Sequence, residues 1–348
     1  APVSGGVPVR VGAWNLGGLR TGGGWVNQWP QCVSLMEEAS LDVLVCSETH
    51  LLPDEAPWVG TDVERVAEIH RPPHARPAGQ AEARDAMRLG GVVVLTRKGL
   101  NAEVVATSVS LEWCVVSVTP NHAAAPLYVG AVYNPPLTCK WPVGPGGKAA
   151  SRPEMRDVTI NEVTELIATC EQLTAGDGGV AVCIGDWNAD KERAASGDSG
   201  GSATMWRDVQ GVFDASTPPV VVRMPTHPTY ISRTADGDVR HTAILDWAAL
   251  PGHSARRCGD VRRWARAPEH SDHVPVFVTA TLPVAGPCTA PVVPTRARTD
   301  VPGHQYYAHT GRRWTAFRGR LADSAPDWIA TAPLEALPQR WEQRRLDA

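Results

Sequence analysis

Val180-Ala181-Val182-Cys183-Ile184-Gly185-Asp186-Trp187-Asn188-Ala189-Asp190 is an unbroken apolar run that gives way, at a glycine, to alternating acids and amide. A short run rich in Val and Ile and closed by a turn residue reads as a strand buried on both faces. Polar residues directly after such a strand are held rigidly, while the loops around them vary. Working outward, the same arrangement recurs. Trp14-Asn15-Leu16 follows the largely apolar residues 9–13, Ser47-Glu48-Thr49 follows 41–46, and Tyr133-Asn134-Pro135 follows 127–132. Leu245-Asp246-Trp247 and Ser271-Asp272-His273 complete the series.

The pattern predicts strands over 8–14, 41–47, 91–96, 112–119, 127–133, 180–185, 242–250 and 274–281. Helices are predicted over 26–39, disturbed by Pro30, and over 153–173, where Val158, Val163, Leu166, Ile167 and Leu173 form one apolar face. Strands outnumber helices and several follow one another directly. That favours an α/β domain built on mixed sheets over a doubly wound one. After Leu282 the chain becomes rich in Pro, Thr and Arg. Residues 1–282 are therefore expected to form one large domain. Residues 283–348 are expected to form a linker with short Arg-rich helices over 312–321 and 334–346.

Composition narrows the function. A net charge of −4 excludes a generally basic nucleic-acid binder, so any DNA contact needs a local basic surface. No apolar run reaches membrane-spanning length, and the first residues do not read as a signal peptide. The eight cysteines form no Cys-x-x-Cys pair. Cys46 and Cys183 lie inside apolar strands, which reads as buried free thiols and implies a reducing compartment, nuclear or cytoplasmic.

Singly, an Asn or Asp after a strand is ordinarily a turn or cap residue, and His273 an ordinary surface histidine. Glu48 is harder to dismiss, because a carboxylate ending an apolar run is costly unless it is solvated or paired. Together these residues supply what phosphodiester hydrolysis needs. Carboxylate and amide oxygens suit Mg²⁺, which keeps several waters and binds phosphate oxygens; Mn²⁺ is the alternative. A second carboxylate beside an amide can orient and deprotonate water. An Asp–His pair can fix an imidazole tautomer and aim a donor at a phosphoryl oxygen.

The ordered series Trp-Asn, Ser-Glu-Thr, Tyr-x-Pro, Gly-Asp-x-Asn-Ala, Leu-Asp-Trp and Ser-Asp-His resembles the endonuclease/exonuclease/phosphatase superfamily over residues 8–281. The resemblance implies a four-layer α/β sandwich, two mixed β-sheets packed face to face with helices outside. It implies Glu48 as the principal metal ligand, assisted by Asn15 and Asp272. Asp186 would activate water, with Asn188 holding it. Tyr133 would donate to the phosphate or to the leaving group. His273, oriented by Asp246, would contact the scissile phosphate, and Thr229 in Pro225-Thr226-His227-Pro228-Thr229-Tyr230 matches a phosphate-contacting threonine. Many members carry Gln before the metal-binding Glu, where this chain has Ser47; the carboxylate itself is retained.

Within the superfamily, Val132-Tyr133-Asn134-Pro135-Pro136 and Gly90-Gly91-Val92-Val93-Val94-Leu95 resemble the endonuclease of LINE-type (non-LTR) retrotransposons, and the Arg-rich tail around Trp314 is similar to the segment that links that endonuclease to reverse transcriptase. DNA would then be the substrate, and a reverse transcriptase in the same polyprotein the partner. Other phosphodiesterases of the same fold remain open: an abasic-site endonuclease, a secreted deoxyribonuclease-like toxin, or a lipid or inositol phosphate hydrolase. A binding module that has kept only the fold is a further alternative. Residues 223–270 hold eight Arg and five acids. There Arg256, Arg257, Arg262, Arg263 and Arg266 are expected near the catalytic mouth, gripping phosphates, with Trp264 either stacking on a base or anchoring the loop.

Overall fold

The computed structural model describes residues 6–17, 20–21, 24–25, 29–50, 62–69, 90–108, 113–136, 152–234, 236–265 and 271–285. Contacts divide the chain into two compact units, Ala1–Pro287 and Cys288–Ala348. The second, with the expected tail helices and Trp314, lies outside the described residues, as does Arg266. No helix among the described residues is long and apolar enough to cross a membrane.

In chain order the first unit forms β1 (Val7–Asn15), β2 (Arg20–Thr21), β3 (Gly24–Trp25), α1 (Trp29–Glu38), β4 (Val43–Ser47), β5 (Val63–Ile69), β6 (Val92–Arg97), β7 (Asn101–Thr107), β8 (Trp113–Thr119) and β9 (Leu127–Tyr133). Then come α2 (Arg152–Asp177), β10 (Val180–Asp186), α3 (Lys191–Ala195), α4 (Gly201–Ala215), β11 (Val221–Arg223), β12 (Tyr230–Arg233), β13 (Val239–Ala243), β14 (Asp246–Leu250), a 3-10 turn (Gly252–Arg256), β15 (Arg262–Arg263) and β16 (Val276–Leu282).

Two six-stranded sheets result, ordered β15-β16-β1-β4-β6-β5 and β11-β14-β10-β9-β8-β7. Both are mixed. Each has a parallel pair at its centre, β1 with β4 and β9 with β10, and antiparallel strands around it. The sheets pack face to face. Val9, Val11 and Ala13 of β1 share one apolar core with Val182 and Ile184 of β10 and with Val129 and Ala131 of β9. The alternate residues of the first sheet, Trp14, Leu44, Cys46 and Leu95, pack with Trp29, Cys32, Leu35 and Met36 of α1. Burial on both faces is why these strands read as unbroken apolar runs rather than alternating ones. On the far side, Leu166 and Ile167 of α2 and Trp206 and Phe213 of α4 cover the second sheet, where Trp187 stacks on Trp247 at 4.4 Å. The layers are helix, sheet, sheet, helix.

Two sequence expectations are adjusted. Pro30 does not disturb the first helix but sits in its first turn, where proline's missing N–H has no partner to lose. The single strand expected over 242–250 is two. The Thr229 hydroxyl accepts the N–H groups of Leu245 and Asp246 at 3.0 and 3.1 Å. That bond takes the chain out of the β12–β13 hairpin and into the second sheet. Past β16 the chain stays attached to the first unit: Ala124 N–H donates to Pro283 O and Ala285 N–H to His122 O.

Candidate active site

The parallel pairs determine where the polar residues gather. Asn15 ends β1, Ser47 ends β4 just before Glu48, Tyr133 ends β9 and Asp186 ends β10, and the register sets Asn15 beside Ser47 and Asp186 beside Tyr133. Antiparallel neighbours bring their beginnings to the same end: Asp246 opens β14 opposite Asp186, and Asp272 and His273 immediately precede β16. Gly185 is required here. Its φ is +154° and a Cβ would lie 2.0 Å from Val132 O, so only glycine lets β10 deliver Asp186 against β9. Glu48 and Asn188 hold φ of +51° and +48°. Such backbone costs about 1–3 kcal/mol each and persists where the surroundings over-determine it, often at working sites.

Asp186 is at the centre and buried. Its Oδ1 accepts the Asn188 N–H at 2.9 Å, and its Oδ2 accepts Asn15 Nδ2 at 2.8 Å and Asn188 Nδ2 at 2.9 Å. Asn188 Nδ2 also reaches Asn134 O at 2.7 Å. His273 Nδ1 lies 2.7 Å from Asp246 Oδ2, leaving Nε2 directed away from that pair and 4.0 Å from Asp272 Oδ1. Tyr133 Oη donates to Glu48 Oε1 at 2.7 Å. Thr229 holds the backbone of Asp246 from behind, so it supports the Asp–His pair.

Every expected catalytic residue thus comes to one end of the two sheets. The expected basic residues divide. Arg263 donates to Pro228 O at 2.8 Å and Arg262 pairs with Phe277, both at the site end of β16. Arg257 O accepts from Thr281 N–H, at the opposite end of that strand, and Arg256 precedes it. Trp264 packs on Phe277 at 6.3 Å and is half-buried, which makes it an anchor.

Three residues gain a positioning role that sequence reasoning had not given them. Ser271 Oγ donates to Asn15 O at 2.6 Å and accepts His273 N–H at 3.0 Å, tying two strand ends together. It was visible as the Ser of Ser-Asp-His. Trp14 Nε1 donates to His273 O. The Tyr230 ring sits 5.1 Å from the His273 ring, a contact only the fold creates.

Charge crowding shifts the titrating groups. Burial, reinforced by Asp246 and Glu48 and opposed by His273, pushes Asp186 up to about 8. Burial alone would lower His273, but Asp246, Asp186 and Asp272 outweigh it and push the imidazolium up to about 10. Asp272 is raised, by burial first. Asp246 Oδ1 is buried with no hydrogen-bond partner. An excess of carboxylate around an unpartnered buried oxygen fits a hard divalent cation. Asp186 and Asp246 offer carboxylate oxygens within 4.8 Å of each other and of the His273 ring, which as an imidazolium has no lone pair to give a cation. Glu48, Asn15 and Asp272 add oxygen donors at the same strand ends.

The sign of the pH dependence follows. Folding raises Asp186 from 3.8 to about 8, so its contribution to stability is full below 3.8 and lost as pH rises through 8. Folding raises His273 from 6.5 to about 10, so its contribution is full below 6.5 and lost through 10. The metal-free protein is therefore expected to melt at progressively lower temperature as pH rises, most steeply between 6.5 and 8, where both act. Added Mg²⁺ should raise the melting temperature more at the alkaline end, because cation and proton compete for the same carboxylates. Calorimetry with and without Mg²⁺ checks this; a flat profile, or a metal effect independent of pH, contradicts it.

The sequence matches no family model and no curated protein. Solved structures are similar to it. The AP endonuclease LMAP from Leishmania major is 14% identical, with a TM-score of 0.56 over 79% of this chain and 88% of that one. A 3′ phosphatase from Neisseria bound to product DNA hairpin is 16% identical, with a TM-score of 0.51 over 78% and 98%. The endonuclease domain of TRAS1, a telomere-specific non-LTR retrotransposon, reaches 11% identity and 0.49 over 78% and 98%, too little to carry an argument. The chain shares the fold of these nuclease and phosphatase structures.

Proposed function

We infer that the protein is a metal-dependent DNA phosphodiesterase, and that it nicks target DNA to leave a 3′-hydroxyl primer for retrotransposition. The observation that carries the reading is the joined network Asn15–Asp186–Asn188 beside Asp246–His273 and Tyr133–Glu48. Solved structures of the same fold include an AP endonuclease and a phosphatase holding DNA, which supports DNA as substrate.

A divalent cation at Glu48, with Asn15 and Asp272, would draw charge from the phosphate and stabilise the leaving oxygen. The chain's own groups do the rest. Asp186, poised near neutrality, takes the proton of the attacking water, and Asn188 fixes its direction. His273, charged at neutral pH, presents Nε2–H to a phosphoryl oxygen, with Asp246 holding its tautomer. Tyr133 holds its one hydroxyl proton on Glu48 Oε1 and would turn it towards the phosphate or the leaving group.

The retrotransposon reading draws on Tyr133-Asn134-Pro135-Pro136 and on Gly90-Gly91, whose carbonyls accept the N–H groups of His50 and Thr49 beside Glu48. The six cysteines described as free are all buried, in keeping with a nuclear or cytoplasmic protein. The chain beyond Pro287 then leads towards a reverse transcriptase. Incubation with supercoiled plasmid and Mg²⁺ or Mn²⁺ is expected to give open circles that a polymerase extends without prior phosphatase treatment. Intact plasmid across both metals refutes the nuclease reading, and ends that cannot be extended refute the primer.

A further inference from the structure

Most arginines with described side chains are engaged: Arg97 on Leu41 O and Met36 O, Arg156 on Asp208, Arg193 on Asp198, Arg263 on Pro228 O. The side chains of Arg256, Arg257 and Arg262 make no hydrogen bond or ion pair among the described residues. They lie on one continuous piece of chain. From Arg257, whose carbonyl accepts Thr281 N–H, the backbone passes Cys258 opposite Ala280 and Gly259 on Thr279 O, and reaches Arg262 opposite Phe277. It runs antiparallel to β16 along the outer edge of the first sheet. Arg256 and Arg262 are exposed and Arg257 is half-buried.

Charged residues commonly guard a sheet edge against pairing with another chain. That role does not require cations of one sign left without counter-ions among the described residues. The chain as a whole carries a charge of −4, yet the one acid of this stretch, Asp260, faces Arg223 at 3.3 Å. Three cations with no counter-ion among the described residues, on a chain of net charge −4, repel one another until a polyanion meets them. The guanidinium fork suits phosphate oxygens.

We propose that this edge is a track for the phosphate backbone of duplex DNA flanking the scissile bond. The proposal rests on the DNA reading above. One end of the track lies at the catalytic end of β16, beside Arg263 and Pro228, and the other lies by Thr281. From Val276 to Thr281 the strand covers roughly 17 Å. That is about five base pairs of duplex. The enzyme therefore holds DNA on one side of the nick well beyond the reacting phosphate.

The test compares wild type with the triple variant Arg256→Gln, Arg257→Gln, Arg262→Gln, binding duplex DNA of about three helical turns in EDTA, as salt is raised. Each phosphate contact adds about 0.9 to the slope of log affinity against log salt, so the variant's slope should be shallower by about 2.7. Its affinity deficit relative to wild type should then shrink about 40-fold between 50 and 200 mM salt. Lengthening a short duplex past the track should tighten binding by wild type and leave the variant unchanged. Equal slopes, or an equal gain with length, in a wild-type protein that nicks plasmid overturn the track alone. A wild type that binds no duplex overturns the track together with the DNA reading. Unchanged thermal melting of the variant establishes that these exposed positions do not hold the fold.

Discussion

Alanine at His273 is expected to slow nicking by about a thousandfold, within the 10²–10⁴ that a positioned proton donor supplies. Nε2 is the only ring atom free to reach a substrate, because Nδ1 is held 2.7 Å from Asp246 Oδ2. The surrounding carboxylates keep the ring charged at neutral pH, so the donor is present before substrate arrives. The substitution also leaves the Asp246 carboxylate buried with neither oxygen partnered, since Oδ1 already has none. Breaking one side of a buried pair costs about 3–5 kcal/mol, so stability falls as well. The two effects separate in the double variant His273→Ala, Asp246→Asn. Neutralising the orphaned charge should recover much of the melting temperature and none of the rate. Single-turnover nicking at saturating protein, read beside calorimetry, makes the comparison. A rate within tenfold of wild type in the single variant removes His273 from the chemistry. A rate that recovers along with stability makes its role purely structural.

How much of this was legible beforehand depends on the residue. Asp186, Asp246 and His273 announce themselves because buried strands end in polar groups, and a strand end has one direction to point. The two-sheet plan follows from strands apolar on both faces, such as β4 and β10, which need a layer on each side. What stayed hidden is what the chain does at its margins. β7 and the β12–β13 hairpin are mostly half-buried or exposed and show no strong apolar period, and β5 carries Glu64, Arg65 and Glu68. α4 carries Trp206, Val209 and Phe213 at helical spacing, but glycines at 201 and 211 mask it. The arginines of 256–263 were legible as a basic cluster and illegible as a line. Only the pairing of that segment along β16 turns sequence neighbours into a row leading away from the site.

Asparagine at Asp186 is expected to be the more severe lesion, with nicking reduced at least a thousandfold, because the substitution removes a base and inverts a hydrogen-bond set together. The carboxylate accepts on both oxygens: Asn188 N–H on one, Asn15 Nδ2 and Asn188 Nδ2 on the other. An amide of the same shape must turn its own NH₂ towards one of those donors. That leaves a buried donor against a donor, a cost of about 1–3 kcal/mol, and disturbs the amide meant to orient water. The pH dependence gives the decisive readout. In the wild type without metal, Asp186 stops contributing to stability as pH rises through about 8, whereas asparagine has no proton to lose. Relative to its own value at pH 5, the variant's melting temperature should therefore hold up better than wild type's at pH 9, while its activity is absent at both. A variant that keeps wild-type turnover shows that another group accepts the water's proton. Inactivity with a melting profile that falls as steeply as wild type's shows that Asp186 is not the carboxylate whose ionisation strains the site.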